Sequence, residues 1–256
     1  MISFLLALVL PAFAQDAKPK LAIVIDDFGL NYKLDVSDDD WMALKFPITF
    51  AVMPVSPHTT QAARRTKEAG HELLIHFPFD KYLSLKLPKD SVDPEDLAKV
   101  DALFAKAIKQ IPDPKGLNNH QSYRGTMNRP MMQAFMKKLK PTGLFFLDSK
   151  VSQKSVAYDE ARKAGIPAAV NSIFLDGTHE AKNRKKGGEA LAAAIAQDKK
   201  VCLHYLKMAA GLAKKNGHAI AIGHHYYHGT FECLKEGAPA LEKEGFELVF
   251  ASSLTK

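Results

Sequence analysis

The chain has 256 residues, 46% of them hydrophobic and 25% charged, with a formal net charge of +7. That length suits one large α/β domain or two small ones, the apolar fraction is ample for a core, and no stretch has the composition of a disordered segment. The positive balance alone would suit nucleic acid, but no nucleic-acid-binding motif is present. Many lysines (Lys137 and Lys138, Lys185 and Lys186, Lys214 and Lys215) fall on polar helix faces, where solvation accounts for them.

Residues 1–14 read as a signal peptide. Their apolar run ends in Ala12-Phe13-Ala14, the small-x-small pattern of a cleavage site, and polar sequence follows from Gln15. The run is short for a bilayer core about 30 Å thick, and no later stretch is long or apolar enough to span one. The expectation is a periplasmic or secreted protein with no stable membrane insertion after cleavage, for which polyanionic envelope material is a better partner than nucleic acid. An uncleaved anchor is the alternative, because no Lys or Arg precedes the run.

From Leu21 onward β-rich runs alternate with helical stretches without a break in composition, which argues for one domain of βα units over residues 20–256. Strands are predicted at Leu21–Ile25, Ile48–Met53, Glu72–Phe77, Leu144–Leu147, Ala168–Val170, Ile173–Leu175, Ala219–Ile222 and Glu247–Phe250. Seven or eight such strands suggest a barrel. Helices are predicted at Thr59–Ala69, Pro94–Lys109, Thr126–Lys140, Ser155–Ala164, Gly187–Asn216 and Thr230–Glu244, several stopped by glycine (Gly70, Gly165, Gly217, Gly245). Asn31–Asp40, Asp80–Pro94 and Ile111–Arg129 read as long loops, and loops after strand ends are where βα folds carry their chemistry. Cys202 and Cys233 match no metal motif and read as two buried thiols, with a disulfide as the alternative in an exported chain.

Several polar residues close apolar strands. Asp26-Asp27 follows Leu21–Ile25, and two adjacent carboxylates in a dry site invite a cation or a shared proton. His71 and His76 lie roughly 16 Å apart along one strand at about 3.3 Å per residue, so only one can reach a site at the strand's end. His76 is at the same end as Asp26-Asp27 and is the ligand candidate; His71 reads as structural. Asn118-Asn119-His120 follows in a loop, where asparagine neighbours could fix the imidazole tautomer. Asp148, Asp176 and His224 close further strands, His224 reads as a proton donor, and His225 and His228 read as exposed. In a parallel barrel these ends converge on one face, and one Asp with two His leaves open positions on Zn²⁺ for hydrolytic chemistry.

The series Ile25-Asp26-Asp27-Phe28-Gly29, His71-Glu72-Leu73-Leu74-Ile75-His76-Phe77-Pro78, Asn118-Asn119-His120, Phe146-Leu147-Asp148-Ser149, Phe174-Leu175-Asp176 and Ala219-Ile220-Ala221-Ile222-Gly223-His224 resembles the divergent polysaccharide deacetylase family of the NodB-homology superfamily, in order and over nearly the whole chain. The resemblance implies a distorted, incomplete (β/α) barrel of about seven strands and a metal-dependent hydrolase acting on an acetylated polysaccharide. It implies Asp27, His76 and His120 as ligands of a divalent metal, Zn²⁺ above all, with Asp26 as general base and His224 as general acid. Asp148 stands beside them as a further candidate catalytic carboxylate. Water deprotonated by Asp26 would attack the acetyl carbonyl and His224 would protonate the leaving amine. The chain departs from its relatives at Gln121-Ser122-Tyr123, where a glycine-containing turn is usual, at Asn171-Ser172, where Arg-Asp is usual, and at His225, where proline is usual. Those departures leave a second reading, a catalytically degenerate protein that binds glycan or an envelope partner on the same fold.

Overall fold

The computed structural model describes residues 17–30, 36–79 and 82–256. The signal-peptide reading of residues 1–14 and half of the Asn31–Asp40 loop lie outside them.

Among the described residues a nine-stranded parallel sheet is wrapped by helices. The strands are β1 (Lys20–Phe28), β2 (Thr49–Val52), β3 (Glu72–Pro78), β4 (Gly116–His120), β5 (Phe145–Asp148), β6 (Ala168–Val170), β7 (Ile173–Phe174), β8 (His218–His224) and β9 (Glu247–Val249). The helices are α1 (Asp38–Met42), α2 (Thr59–Glu68), α3 (Pro94–Gln110), α4 (Tyr123–Met127), α5 (Arg129–Leu139), α6 (Ala157–Lys163), α7 (His179–Asn183), α8 (Gly188–Asn216) and α9 (His228–Lys243). None is long and apolar enough to cross a membrane.

The sheet runs β6-β5-β4-β3-β2-β1-β8-β7, and β9 pairs with the start of β1 beside β2. Its two outermost strands are consecutive in the chain. Asn171 N–H still bonds the Asp148 carbonyl at the end of β5 (2.9 Å), whereas Ser172 N–H bonds Ile220 on β8 (2.8 Å), so the run from Ala168 to Phe174 changes partner at Asn171-Ser172. The sheet therefore curls into an incomplete barrel whose seam is this single run.

Strand alternation divides the core in two. Leu21, Ile23 and Ile25 of β1, Leu73, Ile75 and Phe77 of β3 and Phe146 of β5 pack outward against the helices. Ala22 and Val24, Leu74, Phe145 and Leu147, and Ile220 and Ile222 pack inside the barrel with Ala251 and Leu254 of the C-terminal turn. Inward positions are thus fixed for each strand, and the inward side chains at the C-terminal strand ends are polar.

Besides the short helices α1 and α7, which the sequence does not predict, the structure differs from the sequence reading in four places. Gly116–His120 is a fully buried strand rather than a loop, registered so that His76 faces Asn118 and Pro78 faces His120. It has no β-branched or aromatic residue, and its polar side chains find partners in the site. The single helix expected over Thr126–Lys140 is broken at Asn128, which is extended and caps α5 through Met131 N–H (2.9 Å). Pro130 could not donate within a continuous helix. His225 and His228 are not exposed: His225 is buried against Phe28 (ring centroids 4.4 Å) with Nε2 3.5 Å from Asp38, and His228 is half-buried beside Glu232. Cys202 and Cys233, finally, form a disulfide between α8 and α9 instead of two thiols.

That bridge spans 31 residues, and loop closure of that length removes unfolded-state entropy worth about 3–4 kcal/mol. The double variant Cys202→Ala/Cys233→Ala should lose about 2–4 kcal/mol in chemical denaturation while its near-UV and far-UV spectra keep their native form. An unchanged denaturation midpoint would show that α8 and α9 are held by packing alone.

Candidate metal centre

The inward positions at the strand ends are Asp26 on β1, His76 on β3, Asn118 and His120 on β4 and His224 on β8. All but the fully buried Asn118 line one cleft of about 270 Å³, with Asp27, Asn119, Gln121, Ser149, Val151, Phe174 and Tyr226. Regular alternation would turn Asp27 outward, away from Asp26. It does not, because β1 bulges between Ile25 and Phe28, and Asp27 takes a left-handed backbone with φ of 73°. The bulge puts two neighbouring carboxylates on the same wall.

Asp27 Oδ1 lies 2.9 Å from His120 Nδ1 and 3.1 Å from His76 Nε2, and those two nitrogens are 3.0 Å apart. All three side chains are buried and together form an Asp-His-His group able to hold a metal ion. Three lone-pair atoms this close repel unless a cation or shared protons sit among them. Tetrahedral ligands about 2.0–2.1 Å from a first-row divalent ion are about 3.3 Å apart, so the triangle fits such an ion with little movement. The donor set, one carboxylate and two imidazoles, leaves positions open on that ion.

The electrostatics divide the two carboxylates. Burial pushes both upward, but hydrogen bonds from His120 and His76 overcome it at Asp27, which is held well below the usual carboxylate range. At Asp26 burial wins over the attraction of His76 and His224, and its carboxyl is raised. Burial also opposes charge on His224, yet the Asp176 carboxylate 2.6 Å from its Nδ1, with Asp27 and Asp26 beyond, outweighs that and pushes the imidazole up to about 10. Asp176 in turn accepts from Thr230 Oγ (2.7 Å) and from His224 N–H (3.1 Å). Gly223 permits this approach, since a Cβ there would meet Thr230 Cγ2 at 2.9 Å.

Of the residues singled out from sequence, Asp26, Asp27, His76, His120 and His224 come together. Asp148 does not. Its position on β5 is an outward one, its Oδ2 accepts from Ser155 Oγ (2.6 Å), its Oδ1 accepts from Lys150 N–H (2.8 Å), and the following residue, Ser149, lines the cleft instead. His71 also points outward, bonding Met42 O (3.2 Å) against Phe50, as its structural reading requires. The turn after His120 carries positive φ at Gln121 and Ser122, the conformation glycine adopts without strain. Ser122 Oγ stabilises it by accepting from Phe79 N–H (2.8 Å) and donating to His120 O. Asn171 and Ser172 bond only the seam: Asn171 donates to Ser149 O (3.2 Å) and Ser172 Oγ accepts from Ile220 N–H (3.1 Å). Phe174, stacked on His224 with centroids 6.0 Å apart, and Tyr226 are cleft residues that sequence does not mark as part of the site, although Phe174 opens the Phe174-Leu175-Asp176 motif.

A family model described as divergent polysaccharide deacetylase matches residues 23–204 and 196–255. The uncharacterized protein YibQ of Escherichia coli (strain K12) is 32% identical over 222 residues, covering 86% of this chain and 61% of that protein, so the chain spans about three-fifths of that relative's length. An uncharacterized protein from Agrobacterium tumefaciens C58 shares the fold with a TM-score of 0.75 at 18% identity, over 95% of this chain and 92% of that one. Bacillus subtilis PdaA, a family 4 carbohydrate esterase, shares it with a TM-score of 0.51 at 15% identity, over 93% of this chain and 80% of that one.

Substituting His76→Ala or His120→Ala should abolish divalent-metal binding in equilibrium dialysis while leaving the far-UV spectrum native, because both side chains project from strand ends rather than from the packed core. Retention of one equivalent of metal by either variant would place the ion elsewhere.

Proposed function

The chain belongs to the divergent polysaccharide deacetylase family, and from that premise we propose that it is an exported, metal-dependent hydrolase removing acetyl groups from an envelope or extracellular glycan. The observation that carries this reading is the meeting of three parts in one cleft: the Asp27, His76 and His120 triangle, a buried carboxylate in Asp26, and a histidine in His224 that is backed by its own carboxylate.

Asp27, His76 and His120 would hold the metal, with Zn²⁺ best matched to a carboxylate and two imidazoles. Bound there, it would supply Lewis acidity, both to a water at neutral pH and to the acyl oxygen. Asp26, whose carboxyl burial raises above the ordinary carboxylate range and so makes a better proton acceptor, takes the proton from the attacking water. His224 pairs with Asp26 across β1 and β8, so acid and base are carried by adjacent strands. Asp176 keeps His224 protonated and fixes the ring through Nδ1, which leaves Nε2 as the atom that hands a proton to the departing nitrogen or oxygen. Phe174 and Tyr226 give the cleft apolar walls on the His224 side, against which the face of a sugar ring can lie.

The test is acetate release from N-acetylated and O-acetylated glycan fragments by the metal-loaded protein. Release should stop with a chelator, and Asp26→Asn or His224→Ala should lower kcat by about 10²–10⁴ with metal content unchanged. Asp176→Asn should move the alkaline limb of the pH profile to lower pH, since removing that charge lets burial depress the His224 imidazole. Full metal occupancy with no release from any acetylated fragment would instead support a binding protein on this fold.

A further inference from the structure

Asn118 is completely buried between the two halves of the site, and both ends of its amide are engaged. Its Nδ2 donates to Asp26 Oδ1 (2.8 Å) and to Ser149 Oγ (3.3 Å), and its Oδ1 accepts from His76 Nδ1 (2.7 Å). We propose that Asn118 is a positioning residue that couples the base to the metal ligand: one neutral amide holds the Asp26 carboxylate and fixes the His76 tautomer.

The direction of the amide follows from its neighbours. An ionised carboxylate only accepts, so Asp26 requires the Nδ2 end. The Oδ1 end must then face His76, and an acceptor at 2.7 Å from Nδ1 requires the proton on Nδ1. Nε2, beside Asp27 and His120, is then the nitrogen that would give up its proton to present a lone pair to a metal. Backbone register makes the contact obligatory, because Asn118 is the β4 partner of His76 and both are inward positions. The pair at Asn171-Ser172 cannot serve, since its side chains are engaged at the barrel seam. Aspartate at 118 would keep an acceptor for His76, and leucine would keep the volume but neither bond.

The Asp26 half of this inference rests on the deacetylase reading, while the His76 half does not, and the experiment separates them. Zn²⁺ affinity is measured by competition with a chromophoric chelator, and acetate release is measured at saturating Zn²⁺, for wild type, Asn118→Leu, Asn118→Asp, Asp26→Asn and the Asn118→Leu/Asp26→Asn pair. Thermal unfolding of the metal-free proteins is followed alongside. Asn118→Leu is expected to weaken Zn²⁺ about 10–100-fold, by the same factor with or without Asp26→Asn. Asn118→Asp is expected to keep wild-type affinity, and it carries this half should Asn118→Leu fail to fold. At saturating metal, Asn118→Leu should lower kcat with KM unchanged, and that loss should vanish in the Asp26→Asn background. Wild-type Zn²⁺ affinity in Asn118→Leu, or equal weakening in Asn118→Asp, overturns the tautomer role. A kcat loss that persists undiminished in the Asp26→Asn background overturns the base-holding role. Should wild type release no acetate at all, the deacetylase reading fails together with the base-holding role, and the affinity series still decides the tautomer role.

Discussion

A parallel barrel presents alternate residues to its interior, and a single extended strand can deliver only one of two adjacent carboxylates to the same wall. The bulge in β1 breaks that rule at one residue. With φ of 73° at Asp27, Asp26 keeps the inward position dictated by Ala22 and Val24, and Asp27 is swung in beside it. A left-handed aspartate inside a strand costs about 1–3 kcal/mol, which its bonds with His120 and His76, brought in from β4 and β3, offset. Without the bulge there is no triangle of donors, and Asp26 would stand alone against His224 and Asn118.

The rest of the molecule supports that geometry from two sides. On one side, β3 and β4 are locked in register so that His76, Asn118 and His120 form a contiguous polar wall, with Asn119 accepting from Ser149 N–H (2.9 Å) to hold the neighbouring loop. On the other, His224 depends on Asp176, which depends on Thr230 at the start of α9. The N-terminus of α9 is in turn capped by the buried Glu180 through His228 and Gly229 N–H (both 3.1 Å), and Asp198 on α8 accepts from His179 and Glu180 N–H. The Cys202–Cys233 bridge ties α8 to α9 directly. The His224 side of the cleft is therefore anchored by an outer layer of helices, and the side carrying His76 and His120 by the sheet itself.

Much of the fold was legible because most strands are apolar runs stopped by glycine or by a polar residue, and the helices carry their caps in sequence. Ala168–Val170 is found where it was read, and Asp93 with Pro94 starts α3 as a cap followed by proline should. What escaped was structure whose side chains serve the site and not the core. Gly-Leu-Asn-Asn-His has no strand propensity, since Asn118 and Asn119 are stabilised by Asp26, His76 and Ser149, none of them near in sequence. Asp148 was grouped with the strand-end carboxylates, although the inward placement of Phe145 and Leu147 sends it outward; end position alone does not specify a face. Nothing marked Phe174 or Tyr226 as cleft walls, because a cleft wall has no period.

The proposed chemistry requires Asp27, His76 and His120 to bind one divalent ion through the atoms that the bulge brings together. A crystal of the protein grown with one equivalent of Zn²⁺ and measured at the zinc absorption edge tests this directly. The account predicts a single anomalous peak within bonding distance of Asp27 Oδ1, His76 Nε2 and His120 Nδ1, with Asn118 Oδ1 still on His76 Nδ1. Zinc bound elsewhere, or a cleft in which Asp27 has returned to the outward face and no peak is present, would contradict it.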